Sequence, residues 1–172
     1  GGIGADDVIA TLARRASEQQ FQTVVSTSDK DLAQLVNEHV TLVNTMSNEK
    51  LDVAGVERKF GVPPGRIVDY LTLVGDSVDN VPGVDKVGPK TAAKWLHEYG
   101  SLDGLVANAH AIKGAVGENL RKALPWLPTA RKLVTIRDDC DLGAELESID
   151  ALAVQPQDVE TLRELYTRYE FK

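Results

Sequence analysis

The chain has 172 residues, 42% hydrophobic and 26% charged, enough for one globular domain or two small ones sharing a core. No apolar stretch approaches bilayer-spanning length, no basic-then-apolar leader opens the sequence, and a lone Cys140 excludes an internal disulfide. His39, His97 and His110 stand far from zinc-ligand spacing with that cysteine, so a reducing cytoplasm is the expected compartment, and the net charge of −7 argues against a nucleic-acid partner until its distribution is read.

In chain order, Gly1–Gly4 reads as flexible, and apolar spacing at Val8, Ile9, Leu12 and Ala13 predicts a helix over 6–17 with Asp6 and Asp7 at its positive end. The β-branched run Thr23–Thr27 predicts a strand, Asp29–Val36 a helix and His39–Asn44 a second strand. This α/β rhythm suggests part of a parallel sheet whose other strands lie elsewhere. From Asp52 the pattern turns helical: Val53–Phe60, Pro63–Val74, Pro89–Tyr99, Leu102–Asn108, Gly117–Leu124 and Pro128–Val134, punctuated by glycine and proline. Leu133–Arg137 reads as a return strand and Pro156–Tyr169 as a closing helix. The expected division is an α/β portion over 1–61 and a mainly helical portion over 62–172.

Charge is segregated along the chain. Residues 1–85 hold 7 basic and 13 acidic side chains, residues 86–132 hold 8 and 3, and residues 133–172 hold 4 and 10. A basic island between acidic flanks suits local binding of a polyanion; ordinary solvated surface gives the same segregation.

Within that island, Val81–Ala92 frames a short hydrophobic turn with Gly83 and Gly88 and opens a helix at Pro89. Glycine lets a main chain approach a ligand, and a helix start offers unpaired N–H groups to an anion. Lys86, Lys90 and Lys94 add cations, the last two a turn apart, while Val84, Val87 and Ala92 pack the turn from within. A plain helical corner explains a lone Gly-Pro; the combination with Thr91 and the lysines looks like the helix–hairpin–helix family of duplex-backbone binders. No side chains are arranged for base-edge reading.

Three acidic pairs precede or abut that loop. Asp76 and Asp79 are one turn apart if the preceding helix continues, Asp29 and Asp31 follow a strand end where α/β sheets open their sites, and Asp6 and Asp7 begin a helix. Each pair alone is also an ordinary cap or turn. Together, hard oxygen donors suit Mg2+ or Mn2+ and two-metal hydrolysis of a phosphodiester.

Ala5-Asp6-Asp7-Val8-Ile9, Ser26-Thr27-Ser28-Asp29-Lys30-Asp31, Gly75-Asp76-Ser77-Val78-Asp79-Asn80-Val81-Pro82-Gly83-Val84, Val87-Gly88-Pro89-Lys90-Thr91-Ala92 and the ending Tyr169-Glu170-Phe171-Lys172 resemble the 5′ nuclease domain of bacterial DNA polymerase I, within the flap endonuclease family. The resemblance implies a PIN-like α/β portion followed by a helix–hairpin–helix subdomain, and hydrolysis at 5′ flaps, nicks or ends of duplex DNA in replication and repair. It implies that Asp6, Asp7, Asp29, Asp31, Asp76 and Asp79 bind two divalent ions. It implies that DNA is contacted through Gly83, Val84, Lys86, Val87, Gly88, Lys90, Thr91 and Lys94, around a monovalent cation such as K+. It further implies a linked polymerase domain and a nucleoid-associated cytoplasmic setting. The family pattern carries Glu where this chain has Gly4, and its members begin with further sheet strands, another metal-binding aspartate and a helical arch, so the chain is expected to be the later part of such a domain. Two other readings stay open: a duplex-binding module that does not cut, and a metal phosphohydrolase acting on small phosphomonoesters.

Overall fold

A computed structural model describes residues 4–141. The closing helix predicted over 156–169, the 169–172 motif and the opening Gly1-Gly2-Ile3 lie outside the described residues. Two compact units divide the chain, one comprising Gly1–Gly55 and Ile136–Lys172, the other Val56–Thr135. By packing, the compact units part at Gly55/Val56, and the described residues from Ile136 on group with the first unit.

In the first unit, α1 (Ala5–Glu18) buries Val8, Ile9, Leu12, Ala13 and Ala16, the stripe that its apolar spacing predicts. Strand β1 (Thr23–Ser26) pairs in parallel with β2 (Val40–Val43), and the short β3 (Lys50–Leu51) pairs antiparallel with β2. Both β1 and β2 alternate buried and half-buried residues, so this sheet segment carries one well-covered face. The helix expected over 29–36 is instead a 3-10 helix, Lys30–Leu35, closed by Val36 in extended geometry. Asp29 caps it by accepting from the Asp31 N–H at 2.9 Å, and this tight side-chain turn favours short three-residue winding over α-helix.

The strand expected at Leu133–Arg137 is absent. A helix over Leu127–Val134 takes up its first two residues, and three later N–H groups bond side chains: Ile136 N–H donates to Gln34 Oε1 (2.9 Å), Arg137 N–H to Asp7 Oδ1 (2.9 Å) and Cys140 N–H to Thr11 Oγ1 (3.2 Å). The apolar run Leu133–Ile136 that suggested a strand is split between a helix end and this segment.

In the second unit α2 (Val53–Phe60), which crosses the boundary between units, leads through a 3-10 turn at Pro64–Arg66 to α3 (Ile67–Val74). The expected single helix over 63–74 thus begins only at Ile67. Next comes a two-stranded hairpin, β4 (Gly75–Asp76) and β5 (Val81–Pro82), followed by α4 (Pro89–Tyr99), α5 (Leu102–Ala107), α6 (Gly114–Ala123) and α7 (Leu127–Val134). The most apolar helix, α3, is central: Ile67, Leu71 and Leu73 are fully buried, and it packs against α4 and α7.

Charge also holds this unit together. Asp69 on α3 accepts from the Leu102 N–H at 3.1 Å and pairs with Arg131 on α7 at 3.5 Å, while Arg131 reaches Asp103 on α5 at 3.1 Å. Asp69 is buried, so Asp69→Ala strands a buried amide and half of an ion pair; we expect a loss of about 2–3 kcal/mol, read as a lower midpoint in urea with unchanged slope.

Candidate nuclease and duplex-binding sites

Asp29 and Asp31 stand just beyond the carboxyl end of β1, where parallel strands open a crevice. Thr27 N–H extends the β1–β2 ladder to Val43 O at 3.0 Å, and Thr27 Oγ1 then accepts from the Asp29 N–H at 3.0 Å. Asp29 is exposed and Asp31 is only 4% exposed. Asp6 and Asp7 occupy the first turn of α1. Asp7 serves the backbone with both oxygens, taking Gly4 N–H at 3.4 Å and Arg137 N–H at 2.9 Å. Adjacent helical residues point about 100° apart, so Asp6 and Asp7 diverge.

In the second unit the helix does not continue to Asp76 and Asp79. Gly75 ends α3 with φ +89° and ψ 172°, a conformation essentially confined to glycine, and Asp76 lies in β4 opposite Val81. The four-residue turn Ser77–Asn80 brings Asp79 back, so the two carboxylates approach within 4.8 Å by way of a hairpin rather than a helical turn. Asp76 Oδ1 accepts from the Val78 N–H at 3.0 Å, which fixes the turn, and Asp76 is 2% exposed where Asp79 is exposed. Carboxylates are buried in folded chains only when hydrogen bonds and cations compensate.

The Val81–Ala92 loop is rigidly built. Gly83 packs on the end of α3, where a Cβ would lie 2.4 Å from Val74 C and 2.5 Å from Leu73 O. Val84 N–H donates to Leu73 O at 2.8 Å, Val87 N–H donates to Val84 O at 3.1 Å, and both valines are buried. Gly88, the N-cap of α4, has nothing within 4 Å of its Cβ direction. The framing glycines therefore differ: Gly83 answers to internal packing, and Gly88 leaves open space over a helix start. Lys86, Lys90 and Lys94 are exposed and Thr91 is half-buried.

The basic island is not uniformly available. Arg121 donates to Ala109 O (2.8 Å) and Ile112 O (2.9 Å), and Arg131 is held by Asp69 and Asp103, leaving six lysines of that stretch on the surface. Sequence reasoning passed over Asn119 and Trp126, whose side chains bond the loop's main chain at Asp85 O (3.0 Å) and Pro82 O (2.9 Å). No local pattern marks such long-range bonds.

These features define the class: a PIN-like α/β unit with carboxylates at its strand ends, joined to a helical unit with a helix–hairpin–helix. Two family models cover the chain, the 5′-3′ exonuclease N-terminal resolvase-like domain over residues 1–61 and the 5′-3′ exonuclease C-terminal SAM fold over residues 62–160, and the chain belongs to the 5′-3′ exonuclease family.

Among its relatives, DNA polymerase I of Pseudomonas aeruginosa is 43% identical over 183 residues, an alignment covering 99% of this chain and 19% of that protein. A 5′-3′ exonuclease of Aquifex aeolicus is 41% identical, over 99% of this chain and 57% of its own length. The chain thus spans about one fifth to three fifths of these relatives. The bacteriophage T5 5′-exonuclease solved with divalent metal ions (zinc) shares the fold with TM-score 0.71 at 18% identity, over 98% of this chain and 60% of that one. A T5 flap endonuclease pseudo-enzyme-product complex with DNA and metal ions matches with TM-score 0.72 at 17% identity, over 99% of this chain and 61% of that one.

Proposed function

We propose that the protein is a divalent-metal-dependent 5′-3′ exonuclease and flap endonuclease acting on branched or nicked DNA in replication and repair, and that this chain carries carboxylate ligands and the duplex grip. The carrying observation is the placement of aspartates at two kinds of tight turn: Asp29 and Asp31 after β1, and Asp76 and Asp79 on the β4–β5 hairpin. An all-oxygen donor set with two buried members fits Mg2+ or Mn2+, to be held by Asp6, Asp29, Asp31, Asp76 and Asp79, with Asp7 joining them while it anchors the start of α1. Such ions supply an activated water and stabilise a leaving oxygen, so no protein nucleophile is required. The duplex backbone is gripped at the start of α4 by the main chain around Gly88 and by Lys86, Lys90, Thr91 and Lys94, with Gly83, Val84 and Val87 shaping the loop beneath them. A K+ ion at the hairpin and a linked polymerase domain belong to the same reading.

The test is cleavage of an end-labelled 5′ flap with Mg2+ against EDTA, comparing this chain with a version extended at its amino terminus and carrying Glu at position 4. Metal-independent cleavage by the extended protein would refute the reading. A second reading, a duplex-binding module that does not cut, draws on the hairpin being complete within the second unit. It predicts binding in EDTA by the chain as it stands. In either case a joint alanine substitution of Lys86, Lys90 and Lys94 should weaken duplex affinity and lower the slope of log K against log salt by about one for each phosphate no longer neutralised. A fluorescence titration that finds both unchanged would remove the loop from the interface.

A further inference from the structure

We infer that Asn119 is a positioning residue for duplex binding: from α6 it selects the conformation of the Val84–Val87 turn and so presents the Lys86 N–H to the ligand. The inference rests on the proposed DNA grip. Val87 N–H donates to Val84 O at 3.1 Å, which closes a four-residue turn, and Lys86 at its third position has φ +63°. Asp85 is not among the residues with positive φ, so the turn is type II. Glycine or asparagine normally fills that third position, because a Cβ is strained there. Lysine prefers the type I turn, which keeps the same closing bond and differs by rotating the Asp85–Lys86 peptide about 180°. The local sequence therefore favours one turn, and the protein adopts the other.

What opposes the local preference lies outside the turn. Asn119 Nδ2 donates to Asp85 O at 3.0 Å, and that oxygen belongs to the peptide that flips between the two turn types. In a trans peptide the Lys86 N–H points opposite to the Asp85 C=O. Bonding the carbonyl to α6 thus aims the Lys86 N–H away from α6. Trp126 Nε1 holds the other end of the loop at Pro82 O (2.9 Å) and Val84 N–H is fixed to Leu73 O, so the Asp85–Lys86 peptide is the free joint that Asn119 locks.

The experiment compares the full chain with Asn119→Ala, Asn119→Asp, Lys86→Gly and the double variant Asn119→Ala/Lys86→Gly by two measurements. In NMR spectra without DNA, the parent should show the strong Asp85 Hα to Lys86 amide NOE of a type II turn, and both Asn119 variants should lose it. Its absence from the parent, or its persistence in the variants, overturns the assignment. In titrations with a blunt DNA duplex, Asn119→Ala should weaken binding about three- to tenfold, the size of one hydrogen bond removed. The same change should have little effect in the Lys86→Gly background, where glycine accepts the left-handed conformation without help. An equal loss in both backgrounds would mean general damage and would overturn the role. The joint Lys86, Lys90 and Lys94 variant separates the two ideas: unchanged affinity there defeats the DNA reading, while the NOE result still decides what Asn119 does.

Discussion

Asp76→Asn in the full-length protein should reduce flap cleavage by a hundredfold or more while leaving duplex binding in EDTA and thermal stability near those of the parent. The size follows from the metal-ligand role proposed for Asp76: a charged ligand's contribution to stabilising transition-state charge is several kcal/mol, with each tenfold in rate corresponding to about 1.4 kcal/mol. Asparagine is the informative change. Its amide oxygen can still accept from the Val78 N–H that now bonds Asp76 Oδ1 at 3.0 Å, so the β4–β5 turn keeps that internal bond while the charge is removed. Alanine would remove both and confuse a chemical loss with a hairpin that opens. Because Asp76 is buried and Lys86, the first lysine of the loop, lies beyond β5, the variant should bind a nicked duplex as before. If Asp76→Asn cleaved a labelled flap at the parental rate, the hairpin would not be part of the metal site.

The contrast between Asp76 and its surroundings shows what a sequence can convey. Where a helix is amphipathic and punctuated, as in α1 with its Val8, Ile9 and Leu12 stripe or α4 between Pro89 and Gly100, periodicity and caps locate it almost to the residue. Strands β1 and β2 were legible from β-branched runs. The failures share a cause: competition from side-chain to main-chain bonds or from backbone crowding, neither of which has a period. Asp29 bonding the Asp31 N–H converts an expected α-helix to a 3-10 turn. The Asp76 to Val78 bond and Gly75 at φ +89° make a hairpin after α3, in place of the helical turn that the Asp76/Asp79 spacing also allowed. Ile136, Arg137 and Cys140 find acceptors on Gln34, Asp7 and Thr11, more than a hundred positions earlier, and so need no sheet partner. The acidic and basic residues were visible as candidates, but the supports that orient them, Asn119 and Trp126 above all, depend on hydrogen bonds across 34 and 44 positions that local reading does not reach.

The two glycines that frame the loop look equivalent in sequence, and they should separate cleanly on mutation. Gly83→Ala is expected to destabilise the fold by about 3 kcal/mol, lowering Tm by roughly ten degrees or more. Its new methyl would lie 2.4 to 2.5 Å from Val74 C, Val74 O and Leu73 O, all main-chain atoms at the end of α3 with no flexible side chain to give way. Relief would require β5 to move off α3 and would break the 2.8 Å bond from Val84 N–H to Leu73 O, loosening the loop at its root. Gly88→Ala should leave Tm within a few degrees, because φ −101° and ψ −172° are open to any residue and nothing lies within 4 Å of the added carbon. The same methyl would occupy open space at the start of α4, where the proposed duplex grip places a phosphate against the helix's first N–H groups. Duplex affinity should therefore fall about tenfold in Gly88→Ala with the fold intact, roughly the worth of one charge-assisted hydrogen bond. Calorimetry and a binding titration on the same two proteins decide both points. A stable Gly83→Ala would contradict the crowding at α3, and a Gly88→Ala that binds like its parent would mean that the phosphate does not approach α4 at its start.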